Sequence, residues 1–354
     1  MRHTRITLAC LLAAAATSQA QVKITGSVKS PLTISPPVVA SMARSYEKIR
    51  LAAPDGQYRA TVEASGSSLW ALLDQAGVEK KTPDGFNRPI DLLVVVKGRH
   101  GHEAVFSIGE LQMGLQGGRV LLADRLRLLI PHHHEEIPPL AEPDGWLEVG
   151  ARAALTVPEG CASCHAEKKV PAVDVPRGVC LVAAGDPWPP RFVEDVVEVS
   201  VRQLGVTVPA HMKKGAVPGS TVALVRLDGS TVTLHPAALT ALGQASFADA
   251  TFGMGRGFHG HHTWSGVPLV RIVAANLPAA TNLDRLWVLV TAADGYRTVL
   301  SGKELFAGTH DALLAANEDN QPLWERGPMR LVVPADFYVD RSVHSVQEIR
   351  LGTI

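Results

Sequence analysis

The feature that most constrains the fold is an internal repeat. Residues 92–111 and 286–305 align without a gap, and each stretch begins with five consecutive apolar residues. Each then has a glycine, a second apolar segment and a Ser-x-x-Glu-Leu step, which predicts a strand, a turn, a second strand and the start of a short helix. Because further matches keep the same order through both halves, the sequence predicts two copies of one α+β domain.

The spacing of the matches gives the domain boundaries. The offset between corresponding residues is about 194 positions before Leu111 and about 150 after Arg177, so the first half has roughly 44 additional residues between about 112 and 176. We therefore expect a first domain over 21–203 with an insertion at about 112–176, and a second domain over 204–354.

The predicted insertion contains a motif that is typical of one cofactor. Two residues separate Cys161 from Cys164, and His165 follows directly. This is the attachment pattern of a c-type haem. Each thiol can add to one vinyl group of a porphyrin, and the adjacent histidine can reach the iron as an axial ligand. The motif predicts one covalent haem c held by Cys161 and Cys164, with His165 as an iron ligand.

Two other interpretations of the same cysteines stay open. The pair could form a local disulfide, or it could supply half of a structural zinc site together with two histidines. Both interpretations lead to a binding module without redox chemistry.

The second axial ligand of the expected haem has several candidates. His132, His133 and His134 lie in the same insertion between prolines, and Met113 precedes them. A lysine after the motif, Lys168 or Lys169, could also serve. The alternative for the three histidines is a solvated His-Glu run.

The first twenty residues are typical of a secretory signal peptide. A basic start with Arg2 and Arg5 precedes an apolar run over 6–16 and a small-x-small sequence before Gln21. We therefore expect export to the periplasm, where haem c attachment takes place. Of the remaining cysteines, Cys180 lies in an apolar run and is expected to be a buried free thiol.

Charge and hydropathy limit the other partners. The formal net charge is zero and no basic stripe is present, which argues against nucleic-acid binding. No segment of the mature chain approaches the roughly 20 apolar residues of a membrane-spanning helix. We expect a soluble mature protein that exchanges electrons with a periplasmic redox partner.

The second half resembles a known family. The sequence at 264–269 is Trp-Ser-Gly-Val-Pro-Leu, and 326–334 carries an apolar strand sequence that ends in proline. These segments are similar to the molybdopterin-binding domain of the sulfite oxidase superfamily. The resemblance implies two tandem sulfite-oxidase-like mixed α/β domains, the first with the Cys-x-x-Cys-His insertion.

The resemblance also implies a site, and here the sequence departs from the family. Catalytic members supply a cysteine thiolate to molybdenum from a position about a dozen residues before the Trp turn. Neither 250–254 nor 62–65 contains a cysteine, and hydroxyl or thioether groups do not easily replace a soft thiolate. The departure argues against a molybdopterin cofactor and makes the haem iron the expected redox centre.

A second histidine cluster precedes the Trp turn. His259, His261 and His262 occur within four positions and could bind a transition metal through imidazole nitrogens. The alternative is a Gly-rich surface loop with satisfied histidines.

The sequence as a whole predicts an exported c-type haem protein for electron transfer or redox coupling. One alternative is a molybdopterin- or metal-dependent oxidoreductase that passes electrons to the haem. The other alternative is the non-redox zinc or disulfide module.

Overall fold

We describe a computed structural model of the chain. The described residues are 21–52, 56–81, 85–129, 146–148, 178–206, 208, 220–307, 312–323, 327–334 and 336–354. They are richer in strand and poorer in helix than an α+β description suggests, since the longest helix among them has eight residues. No helix in this part of the chain is long and apolar enough to cross a bilayer.

The first half, residues 21–203, begins with two strands and ends with a strand that returns beside them. Its strands are β1 (Val22–Gly26), β2 (Leu32–Ile34), β3 (Ser45–Ala52), β4 (Tyr58–Ser68), β5 (Leu92–Gly98), β6 (Glu103–Ser107), β7 (Val120–Leu128), β8 (Leu147–Glu148), β9 (Cys180–Ala183), β10 (Phe192–Val193) and β11 (Val196–Gln203). Its helices are α1 (Pro36–Ser41), α2 (Leu69–Ala76) and α3 (Ile108–Gln112).

The second half, residues 204–354, has a closely similar order of elements. Its strands are β12 (Val222–Val225), β13 (Thr231–Leu234), β14 (Ala245–Gly253), β15 (Gly257–Pro268), β16 (Leu286–Ala292), β17 (Arg297–Ser301), β18 (Leu313–Glu318), β19 (Gln321–Pro322), β20 (Arg330–Val332) and β21 (Val346–Thr353). Its helices are α4 (Pro236–Ala241), α5 (Leu269–Ala274) and α6 (Gly302–Leu305).

Each half contains two sheets. The first sheet has the order β2-β1-β11-β5-β6 in one half and β13-β12-β21-β16-β17 in the other, which is the same order of equivalent strands. In both, the first strand of the half pairs in parallel with the last strand. The second sheet has the order β10-β9-β7-β4-β3 with β8 beside β7 in the first half. In the second half, it has the order β14-β15-β18-β19 with β20 beside β18.

The continuous apolar runs of the repeat are explained by burial of both faces of β5 and β16. Alternate residues of β5, such as Leu92 and Val94, enter the core of the first half. The intervening residues Leu93 and Val95 pack in a separate cluster with Trp287 and Leu289 of β16. Strands that are buried on both faces carry no polar alternation, so the sheets of the two halves meet through these strands.

The Ser-x-x-Glu-Leu steps form capping boxes, as predicted. The side chain of Ser107 accepts a hydrogen bond from the backbone N–H of Glu110 at the start of α3, and Ser301 accepts one from Glu304 at the start of α6. Each glutamate side chain in turn accepts from the backbone N–H of its serine.

The register of the strands narrows the position of the additional residues. β7 pairs with β4 and β9, as β18 pairs with β15 and β20, so β7 belongs to the common framework although it lies within 112–176. The connection from β7 to β9 runs over 129–179, whereas the connection from β18 to β20 runs over only 319–329. The β7–β9 connection is therefore much longer than the β18–β20 connection, and most of it lies within the predicted insertion at about 112–176.

The two halves are joined by a buried ionic cluster centred on two arginines. Arg191, which is 1% exposed, donates from Nε to Asp186 Oδ2 at 2.6 Å and from Nη1 to Ser301 Oγ of the second half at 3.2 Å. It also forms an ion pair with Glu110. Arg191 thus connects its own half to the start of α6.

Arg341 makes the equivalent contacts from the second half. It is fully buried and donates from Nε to Asp336 Oδ2 at 2.7 Å and from Nη1 to Ser107 Oγ of the first half at 3.2 Å. Its Nη1 also lies 2.5 Å from Glu304 Oε1.

The capping serines close the cluster across the interface. Ser301 Oγ donates to Glu110 Oε2 at 2.8 Å, and Ser107 Oγ donates to Glu304 Oε2 at 3.0 Å. Each hydroxyl therefore accepts from its own helix and donates to the glutamate of the other half, so the helix caps and the interface depend on the same four side chains.

The cluster has more negative than positive groups. Its two guanidiniums face the carboxyl groups of Glu110, Asp186, Glu304 and Asp336. Burial raises the pKa of Glu110 from 4.5 to about 7, with Arg191 opposing the rise and the nearby Glu304 and Asp186 adding to it. Burial also raises the pKa of Asp336.

We expect Arg341→Met to destabilise the protein by about 3–5 kcal/mol, because it leaves the carboxylates of Asp336 and Glu304 buried without their cation. Lys97→Met is the control, since Lys97 is 45% exposed in its pair with Glu103 and should cost no more than about 1 kcal/mol. Urea denaturation measures both. Equal losses in the two variants would contradict the role assigned to the cluster.

We expect Glu110→Gln to remove part of the pH dependence of stability. The folded state favours protonated Glu110, so this residue's contribution to the free energy of unfolding falls as the pH rises from 4.5 to about 7. The loss should be about 1–3 kcal/mol in the parent protein and absent in the variant. Denaturation at pH 5 and pH 7.5 tests this, and an identical pH dependence in both proteins would disprove it.

Candidate functional site

The residues of the predicted haem site lie outside the described part of the chain. This holds for Cys161, Cys164 and His165 and for the candidate distal ligands His132, His133 and His134. The haem assignment therefore rests on sequence alone.

Two other sulfur-containing residues, Cys180 and Met113, lie in the described part of the chain. Cys180 is a buried free thiol in β9, as predicted, and burial raises its pKa above the ordinary thiol value. Met113, the fourth candidate distal ligand, is 2% exposed and packs with Phe86 and Ile90.

A cavity of about 1180 Å³ opens on the second half of the molecule. Its walls come from the hairpin β14–β15, the ends of β18 and β20 and the segment 339–344, while Arg88 of the first half completes the rim. Its lining includes three arginines, three histidines and three acidic residues, namely Arg88, Arg256, Arg330, His259, His262, His344, Asp294, Glu318 and Asp340.

The equivalent place in the first half is filled with apolar side chains. Val62, Ala64 and Leu126 belong to a buried cluster there. In the strand registers they correspond to His262, Trp264 and Glu318. The polar cavity is therefore a property of the second half and is not required by the arrangement of strands.

The histidine cluster lies on a strand, where the alternative interpretation expected a Gly-rich loop. Gly253 and Gly257 flank a tight turn, and His259, His261 and His262 lie on β15. His259 and His262 line the cavity, whereas the ring of His261 packs against Phe258 at 5.4 Å. The fold thus separates the third histidine from the other two.

His262 is brought together with two carboxylates that sequence reasoning missed. Its Nδ1 lies 2.9 Å from Glu318 Oε1 and 3.3 Å from Asp319 Oδ2. One ligand atom from each residue lies within 4.8 Å of the others, which makes this the metal-competent group among the described residues. The sequence signal that could have located these carboxylates is the pair Asp319-Asn320, which is typical of a hairpin turn. In the structure both residues have positive φ values, 51° and 62°, and form a turn beside β15.

A buried indole lies next to this group. Trp264 is fully buried and lines the cavity, and its ring is 5.6 Å from the His262 ring. The guanidinium of Arg330 stacks over the indole at 4.5 Å. Trp264 Nε1 is buried and has no hydrogen-bond partner among the described residues, so it is a donor that an acceptor in the cavity could satisfy.

The rim is fixed by contacts across the interface between the halves. Arg88 donates to Asp340 Oδ1 at 2.8 Å and to Tyr296 Oη at 3.3 Å. Asp340 also accepts from the backbone N–H of Met254 at the hairpin turn, at 2.9 Å. The cavity mouth therefore depends on the same juxtaposition of halves as the buried arginine cluster.

The lining of the cavity can be compared with the site that the family resemblance implies. The segment 250–254, where the family cysteine would lie, is the end of the hairpin, and Thr251 and Gly253 line the cavity. No cysteine lines it among the described residues, and Cys180 is in a buried strand of the first half. Guanidiniums and imidazoles could hold an anionic group, but the described residues supply no thiolate.

A comparison with protein families matches the part of the chain that forms most of the cavity. Residues 227–353 match the family described as the oxidoreductase molybdopterin binding domain, and every lining residue except Arg88 falls in that range. No curated protein sequence matches the chain.

Among solved structures, sulfane dehydrogenase SoxCD from Paracoccus pantotrophus matches with 12% identity and a TM-score of 0.30, covering 92% of this chain and 77% of that chain. That TM-score is too low to support an inference about fold or function. The family match places a domain similar to the molybdopterin-binding oxidoreductases at 227–353, with the cavity within it.

Proposed function

We propose that the chain is an exported c-type haem protein for electron transfer or redox coupling with a periplasmic partner protein. The observation that carries this proposal is the sequence Cys161-Ala162-Ser163-Cys164-His165. The domain similar to molybdopterin-binding oxidoreductases supports a redox role in general, without indicating which redox centre the protein uses.

The roles proposed for the motif residues follow from their chemistry. The thiols of Cys161 and Cys164 form thioether bonds to the porphyrin, and the imidazole of His165 binds the iron. The haem supplies a one-electron redox centre when bound. Since Cys180 is buried with a raised pKa, it does not compete for covalent attachment.

We place the second axial ligand among His132, His133 and His134. The burial of Met113 between Phe86 and Ile90 supports this choice, because its thioether is already enclosed by the host domain. Two histidine ligands would give a lower reduction potential than a histidine and a methionine.

We further propose that residues 21–203 and 204–354 are copies of one domain. The identical strand order of their first sheets and the reciprocal contacts of Arg191 and Arg341 support this. In this proposal the haem-bearing segment is an insertion in the first copy, and the cavity belongs to the second.

A second candidate function is a molybdopterin- or metal-dependent oxidoreductase that passes electrons to its haem. The cavity of about 1180 Å³ with three arginines favours it. Stoichiometric molybdenum in the purified protein would support a molybdopterin enzyme despite the missing thiolate. The remaining alternative is a non-redox module with a zinc ion or a disulfide at Cys161 and Cys164.

We expect the mature protein, made with a haem c maturation system, to show a Soret band and a haem peroxidase stain that survives denaturing electrophoresis. The double variant Cys161→Ala/Cys164→Ala should lose the covalent stain, because no other pair of thiols is available. Cys180→Ala is the matched control and should keep it.

A colourless parent protein would disprove the haem proposal. In that case, one equivalent of zinc that disappears in the double variant would indicate the zinc site. A stain retained by the double variant would show that the haem is attached elsewhere.

A further inference from the structure

We propose that His262, Glu318 and Asp319 bind a divalent first-row transition metal ion, such as Zn²⁺, in the cavity of the second half. This site is separate from the haem motif, and it deepens the metal-dependent alternative described above. It combines one imidazole with two carboxylates, a donor set that suits such ions.

The distances between the ligand atoms suit a metal. His262 Nδ1 lies 2.9 Å from Glu318 Oε1 and 3.3 Å from Asp319 Oδ2. Metal–ligand bonds of about 2.0–2.2 Å place neighbouring ligands roughly 3 Å apart, so an ion fits between Nδ1 and the carboxylate oxygens without a large movement of the side chains.

One ligand is already held in position by the backbone. Asp319 Oδ1 accepts a hydrogen bond from the backbone N–H of Thr263 at 2.7 Å, which leaves Oδ2 for the ion. Such partners behind a ligand orient it and strengthen metal binding. Because the donor is a main-chain group of β15, this orientation persists when neighbouring side chains change.

Charge balance points the same way. The ion pairs of Glu318 and Asp319 among the described residues are both with His262, so one imidazole faces two carboxylates. A divalent cation neutralises both carboxylates, which a single imidazolium does not.

The fold does not need these polar groups. At the equivalent register of the first half, Val62 and Leu126 are buried and apolar. Arg127, which follows Leu126, pairs there with Glu63. The side chains of His262 and Glu318 are therefore not required for this arrangement of strands and are available for a ligand.

The surroundings leave room for further ligands. His262 and Glu318 line the cavity, as does His259, and Asp319 follows Glu318 directly at the end of β18. Within the described part of the chain, Nε1 of buried Trp264 has no hydrogen-bond partner, which is an independent sign of a missing acceptor beside His262. A water molecule or oxyanion on the ion can accept its hydrogen bond.

The test is calorimetric titration of the mature, haem-loaded protein with Zn²⁺ after removal of bound metals by a chelator. Variants His262→Asn, Glu318→Gln and Asp319→Asn each remove one ligand with little change in size. Asp319→Asn also keeps the acceptor for Thr263 and suits the positive φ. His261→Asn is the matched control, because His261 lies on the same strand and packs on Phe258.

We expect each ligand variant to lose Zn²⁺ binding at this site or to bind Zn²⁺ at least about tenfold more weakly. Removing a group that only hydrogen-bonds to a metal ligand already weakens metal binding by about that factor, and removing the ligand itself should cost no less. The control His261→Asn should bind Zn²⁺ with the stoichiometry and affinity of the parent protein. Any Zn²⁺ that His132, His133 or His134 binds should be the same in all variants. Circular dichroism checks folding of each variant.

Equal stoichiometry and affinity in the parent, His262→Asn and Glu318→Gln would overturn the proposal, as would the absence of Zn²⁺ binding by the parent. Haem content, measured on the same samples, reports separately on the haem proposal. A protein without haem can still bind Zn²⁺ at this site, so the two failures are distinguishable.

Discussion

The reciprocal contacts of Arg191 and Arg341 are the interaction on which the rest of the structure depends. Each guanidinium is buried, pairs with carboxylates of its own half and reaches the capping serine of the other half. Removing such groups from water is costly unless every donor and acceptor is satisfied. The cluster therefore fixes one relative position of the two halves. That position also brings Arg88 of the first half to Asp340 at the mouth of the cavity.

The same framework carries two different interiors. Trp264 with its stacked Arg330 borders an open, polar cavity in the second half, whereas the register equivalents Ala64 and Cys180 are packed in the first half. Backbone hydrogen bonding sets the strand order, and side-chain size and polarity decide whether a cavity forms. The open cavity therefore lies in the half without the long β7–β9 connection.

Much of the framework could be predicted from sequence because its signals are local. The paired apolar runs, the Ser-x-x-Glu capping boxes and the buried Cys180 all follow from short patterns. The candidate site could not be predicted, because it depends on cross-strand register. Glu318 and Asp319 approach His262 only through the pairing of β15 with β18 and the turn that follows. Similarly, the pairing of β14 with β15 turns a Gly-rich segment into a strand. His261 is therefore separated from His259 and His262, with which the sequence had grouped it.

We propose that the redox centre of this chain is a haem on Cys161 and Cys164 rather than a metal held by a thiolate in the cavity. Peptide mapping by mass spectrometry tests it most directly. The tryptic peptide over residues 153–168 contains both cysteines and His165. We predict that this peptide from the exported protein carries the mass of one haem. The unmodified peptide, or the same peptide with a Cys161–Cys164 disulfide, would contradict the claim.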